Sequence, residues 1–179
     1  MAKSTTRKSG AGKSSSSQLE EYFFNELKDV YGAEKQLVKA LPKMRKAATT
    51  EELKEALDEH LAITQEQIAR LEEVFELLDK KPQSKKCEAM EGITKEGESV
   101  IEETESGSMT RDAAIIMAAQ KVEHYEIAAY GGLVTLAKTM GKNDVAELLA
   151  QTLEEEKEAD QLLTEIAESS INEGADMES

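Results

Sequence analysis

From Leu19 onward, apolar residues recur at the spacing of one helix face: Phe23, Leu27, Val30 with Tyr31, Leu37 with Val38, and Leu41. This stripe predicts a long helix to about Ala48, with Pro42 bending it or breaking its last turns by removing a backbone donor. Thr50 followed by two acids is a helix start, and Leu53, Leu57, Ile68, Leu71, Phe75 and Leu78 carry a second stripe to about Asp79, where Lys80-Lys81-Pro82 ends it. From Ser84 to Ser106 the apolar set is sparse (Met90, Ile93, Val100, Ile101), and Gly92 and Gly97 weaken the helix it predicts. Thr110-Arg-Asp opens a third long helix, through Ile116, Ala119, Ile127, Leu133 with Val134, and Ala137, closed by Gly141. A fourth runs from Asn143 through Val145, Leu149, Leu153, Leu163 and Ile166, and fades by about Ile171.

Composition agrees with these elements. Charged residues make up 33% of the chain, against about 25% in an average soluble protein. Aromatics make up only 4%, Trp is absent, and β-branched residues nowhere alternate with polar ones over a strand's length. The fold class is therefore all-α. Two antiparallel helix pairs joined by a long, helix-containing crossover between the second and third long helices resemble the ferritin-like four-helix bundle in connectivity.

Residues 1–17, rich in Lys and Ser, hold no large apolar side chain beyond Met1 and are expected to form a disordered tail. The domain is expected over 18–171, with a flexible acidic C-terminus at 172–179. Gly12-Lys13-Ser14 imitates the end of a phosphate-binding loop, but Arg7 stands where that motif needs glycine. The formal net charge of −15 becomes −19 once Lys3, Arg7, Lys8 and Lys13 of the tail are set aside, so the bundle itself should not bind nucleic acid, although the basic tail has the charge to touch anions. The single cysteine, Cys87, fits a reducing compartment, and the cytoplasm is the expected location. No apolar run reaches the ~20 residues of a membrane span.

The informative positions are those where a stripe demands an apolar residue and the chain supplies a polar one, because an uncompensated buried carboxylate costs several kcal/mol. Glu34 lies seven residues from both Leu27 and Leu41. His60 follows Leu57 by three, with Thr64 and Gln67 on the same face; Glu123, Glu126 and Tyr130 interrupt the third long helix; Glu156 and Asp160 interrupt the fourth. Taken singly, a Glu reads as a solvated edge and a His as a hydrogen-bonded core residue. Antiparallel packing, however, would bring five carboxylates and an imidazole to one depth. Their repulsion and desolvation would rival the ~5–15 kcal/mol stability of a whole domain. Two divalent cations would relieve it, and hard oxygen donors suit iron or manganese better than zinc. Thr64, Gln67 and Tyr130 read as hydrogen-bonding groups around the ligands, and His124, about 100° off the stripe, as an edge or interface residue. The acids Glu88 and Glu91 argue against a reactive Cys87.

The segments YGAEKQL (31–37), HLAIT (60–64), CEAMEGI (87–93), AAQKVEHYEIAAYG (118–131) and LEEEKEAD (153–160) resemble the YciE/YciF family of bacterial ferritin-like stress-response proteins. The resemblance covers Leu19 to Ala167. It implies a di-metal site similar to that of rubrerythrin, with Glu34, His60, Glu123, Glu126, Glu156 and Asp160 as ligands, a homodimer, and a ferroxidase or metal-dependent protective role. The corresponding chemistry is oxidation of paired Fe(II) by dioxygen or peroxide, with Tyr130 as a hydrogen-bond or electron donor. The chain departs from the general ferritin-like pattern at Leu57, where a Glu is common, and at Asp160, where a second His is common. The two ions should then be held unequally, with Glu91 the nearest substitute for the missing carboxylate. A stress or interaction protein whose metals only hold the helices together is the alternative.

Overall fold

The computed structural model describes residues 17–178, so the readings made on the basic tail, Ser17 apart, lie outside the described residues. Among the described residues the protein is all-helical. Helix α1 spans Gln18–Ala47, α2 Glu51–Leu77, α3 Glu88–Glu103, α4 Met109–Thr139 and α5 Asn143–Ile166. A π-helical turn, Ala167–Ile171, leads into the short α6, Asn172–Asp176.

Local chemistry explains where most of these helices begin. Ser17 and Glu20 form a reciprocal capping box, each side chain accepting from the other's backbone N–H at 3.1 Å. Thr50 and Ser108 cap α2 and α4 through their hydroxyls. The start of α2 is held a second time from across the fold. The buried Asp112 accepts from the backbone of Thr49 at 2.6 Å, the backbone of Thr50 at 2.8 Å and the Thr50 hydroxyl at 2.7 Å. Pro42 lies inside α1 without ending it; the Ala48 N–H still reaches Met44 O at 2.9 Å. The connecting helix is shorter than the stretch 84–106 suggests, because the chain before Cys87 is laid against α1. Lys85 donates its N–H to Lys28 O at 2.9 Å, and its carbonyl oxygen lies 1.8 Å from where a side chain on Gly32 would begin.

Helix α1 packs on α2 and α4 on α5; α2 faces α5, α1 faces α4, and α3 lies against α4 and α1. The apolar core is divided in two. One half gathers Leu37, Leu41, Leu53, Leu57, Ile116 and Leu163; the other gathers Phe23, Leu27, Leu71, Phe75, Leu133 and Leu149. Each fully buried side chain of this kind contributes about 1.5–3 kcal/mol. Along every long helix the residues between its two apolar sets are the polar interruptions: Glu34 on α1, His60 to Gln67 on α2, Glu123 and Glu126 on α4, Glu156 on α5. A polar layer thus crosses the middle of the molecule.

The helical path outlasts the apolar periodicity. Instead of a loose acidic end from residue 172, the chain passes through α6, and Glu178 accepts from the backbone N–H groups of Met109 at 2.6 Å and Thr110 at 2.9 Å, at the start of α4. A carboxylate on a helix N-terminus completes orphaned donors there, a contact that periodicity cannot reveal.

Candidate metal centre

In the polar layer, His60, Glu123, Glu126 and Glu156 are all buried and can each present a ligating atom within 4.8 Å of the others. Glu34 faces the same space from α1: it is fully buried, and its pKa is governed by burial and then by the Glu156 charge. Residues from all four long helices therefore converge, and α4 supplies two because positions 123 and 126 lie on one helix face.

The hydrogen bonding within this group is one-sided. Glu34 Oε1 accepts from the Tyr130 hydroxyl, whereas its Oε2 has no partner. Glu156 Oε1 accepts from Gln67 Nε2 at 2.6 Å, and its Oε2 has none. Glu123 Oε2, both carboxylate oxygens of Glu126 and both ring nitrogens of His60 are likewise buried without a hydrogen-bond partner. His60 Nε2 does approach Glu123 Oε1 at 3.5 Å. Burial lowers the imidazole pKa to about 4, so at neutral pH this is contact with an uncharged ring rather than an ion pair.

The carboxylates are displaced in the opposite direction. Burial, followed by neighbouring carboxylates, pushes Glu34, Glu123 and Glu126 well above the usual range. Burial also raises Glu156, but only to about 7, because hydrogen bonds from Glu123 and Gln67 favour its charged form. Burial raises Tyr130 as well, so it keeps its proton and remains a donor.

Around this group lies a framework that the sequence reading found in part. Gln67 belongs to it as expected. Arg70 and Glu155 were not identified: Arg70 grips both oxygens of Glu155 at 2.7 Å and the Thr152 hydroxyl at 2.7 Å, while Glu155 accepts from Gln67 at 3.0 Å. The available signal was Arg70 standing three residues beyond Gln67, one turn along the same helix. Thr64, read as a hydrogen-bonding group around the ligands, donates to His60 O within its own helix at 2.8 Å.

Asp160 stands apart from the close group. Half-exposed, it accepts from Gln120 Nε2 at 3.1 Å and lies 3.3 Å from Nε2 of the exposed His124, which takes the edge position expected of it. Glu91 does not replace the carboxylate absent at Leu57; it is turned outward to Lys86 at 2.7 Å and Lys95 at 3.8 Å. Cys87 is buried, caps α3 through its sulfur and sits 3.0 Å from the Tyr125 hydroxyl, and burial pushes its thiol pKa up. That is the opposite of what a reactive thiol needs.

Fold and site together define an all-α protein whose interior holds a histidine–carboxylate group able to bind a metal ion. The chain belongs to the family described as Domain of unknown function (DUF892), whose profile matches residues 18–176. It is 48% identical over 159 residues to Protein YciF of Escherichia coli (strain K12), covering 88% of this chain and 95% of that protein. The crystal structure of the E. coli stress protein YciF matches with a TM-score of 0.83 at 48% identity, over 87% of this chain and 98% of that one. YcfI from Rhodopseudomonas palustris, provisionally described as a structural protein, matches with a TM-score of 0.81 at 40% identity, over 86% of this chain and 97% of that one. The YciF resemblance read from the sequence is thereby borne out. Among the described residues no helix is long and apolar enough to cross a membrane.

Proposed function

We propose that the chain is a ferritin-like four-helix bundle, with α3 on the crossover between its two helix pairs, that holds two iron or manganese ions and protects the cell under stress as a ferroxidase or peroxide-consuming protein. The observation that carries this reading is the one-sided bonding of the buried carboxylates. Tyr130 tethers one oxygen of Glu34, Gln67 tethers one oxygen of Glu156, and the other oxygen of each, with both oxygens of Glu126 and the ring nitrogens of His60, is buried without a partner. Buried polar groups left without partners are rare in native interiors. Hard cations would satisfy these donors and cancel most of their charge.

The residues present fit such ions. Glu34, Glu123, Glu126, Glu156 and His60 would be the ligands, with Asp160 at the outer edge. The chemistry supplied by a bound iron pair is one electron from each Fe(II), together the two electrons that reduce a peroxide. The chain's own residues supply neutralising carboxylates, a neutral imidazole ready to ligate, and the Tyr130 hydroxyl, which fixes Glu34. The test is to purify the protein with no metal-binding tag, measure metal per chain, and follow Fe(II) oxidation with wild type and Glu126→Ala. About two ions per chain and an oxidation rate lost in the variant support the reading. Fewer than about one ion per two chains, with oxidation no faster than in buffer, would sink it.

A second reading is favoured by the apolar Leu57 and by Asp160 lying outside the close group. In it the ions only clamp the helices together. Metal bound at full occupancy without accelerated oxidation would select that role.

A further inference from the structure

The buried group is closed on most sides. Glu34, Glu126 and Glu156 have no exposed surface, whereas His60 is 8% and Glu123 2% exposed. Both of these open onto one groove between α2 and α5, a cavity of about 160 Å³ whose walls include Leu57 and Ala159. Sites for larger ligands occupy roughly 300–1,000 Å³, so this space admits molecules of only a few heavy atoms. Its lining residues include Glu59 and Glu158, both exposed, and no lysine or arginine.

We propose that this groove is the route by which small uncharged molecules reach the buried group, and that its rim carboxylates turn away anions of the same size. The identity of the traveller, a neutral oxidant such as dioxygen or hydrogen peroxide, rests on the metal reading above; the route does not. Leu57 then has a positive role. It leaves an apolar wall beside His60 where a carboxylate would fill the space and attract water.

The route is tested on the full chain without added metal. Iodoacetamide and iodoacetate are alkylating reagents of similar size, one neutral and one anionic, and mass mapping reads their reaction with imidazoles. The chain has two histidines, and the His124 side chain, 70% exposed, serves as the internal reference. His60 should react with iodoacetamide, and its preference for that reagent over iodoacetate should exceed the preference at His124. Ala159→Phe and Ala56→Phe, which fill the groove from opposite walls, should each slow iodoacetamide at His60 by about fivefold or more, because close-packed side chains leave no passage. The rate at His124 should not change. Glu158→Gln should raise the iodoacetate rate at His60 by about twofold, a screened surface effect, and leave the iodoacetamide rate alone. An unreactive His60 in wild type, an unchanged rate in either correctly folded groove variant, or no reagent preference beyond that at His124 overturns the proposal. Protection of His60 by Mn(II), measured in the same way, tests the metal reading alone, so the two failures are distinguishable.

Discussion

Gln67 donates through one nitrogen to two carboxylates, Glu156 Oε1 at 2.6 Å and Glu155 Oε2 at 3.0 Å. Because Arg70 holds Glu155 with two bonds, a chain of contacts runs from a partly buried guanidinium to a fully buried carboxylate. Glu156 is thereby oriented with its second oxygen left for another partner.

Removing the link should therefore weaken metal binding without removing a ligand. Gln67→Leu keeps the volume and deletes the donor. Its Mn(II) affinity, measured by calorimetry, should fall by roughly 10- to 100-fold, as for other groups that orient ligands. Affinity equal to wild type would show that Glu156 needs no orienting.

Gly32 makes a different demand, on backbone space rather than charge. A side chain there would begin 1.8 Å from the Lys85 carbonyl oxygen, and backbone cannot step aside as a flexible side chain can. Gly32→Ala would normally favour a helix, by about 1 kcal/mol. Here it should instead destabilise by roughly 1–3 kcal/mol, as overpacking does, by prising the 80–87 connection off α1. Thermal melting reads the sign, and a stabilised variant would contradict the packing described.

The pH dependence of metal-free protein follows from the opposed shifts in the polar layer. Glu156 titrates at about 7 in the folded chain against 4.5 ordinarily. Between those values the folded state retains a proton that the unfolded chain has released, so this stabilisation is complete at low pH and is lost as pH rises through 7. Glu34, Glu123 and Glu126 act in the same direction. His60, lowered from 6.5 to about 4, acts oppositely, and its contribution is complete above pH 6.5. Metal-free protein should therefore melt at a lower temperature at pH 8 than at pH 6.5. Saturating Mn(II) should reverse the order, since it competes with those protons. Equal melting temperatures at both pH values without metal would remove the basis for a strained carboxylate group.

These relationships differ in how far the sequence disclosed them. Helical spacing located the four long helices, and a polar residue in an apolar stripe is a local signal, which is why Glu34, His60, Glu123, Glu126 and Glu156 could be singled out from the chain alone. Asp160 satisfies the same spacing yet lies at the half-exposed edge of α5, because residues one turn apart on a helix need not reach the same depth. Arg70 with Glu155, and Asp112 with the N-cap Thr50, are pairings across 85 and 62 residues; in sequence Arg70, Glu155 and Asp112 look like ordinary surface charges, and nothing marks Thr50 as a partner of Asp112. Gly32 reads as a helix weakener until the backbone it accommodates is known.

Leu57 is the position at which the proposed ferritin-like reading can be probed most directly. It is buried three residues before His60 and lines the same groove, so Leu57→Glu places a carboxylate one turn from the imidazole. Without metal, the added group enters a space already crowded with carboxylates. The variant should lose about 2–4 kcal/mol, or hold the new group protonated. With Mn(II) the sign should change, because an added oxygen ligand would give an ion held beside His60 a partner that Leu57 cannot supply. Melting with and without the ion, together with the affinity, reads both halves. Destabilisation that Mn(II) does not reverse would mean that no ion is held beside His60, and the case for two unequally held ions would fail at that point.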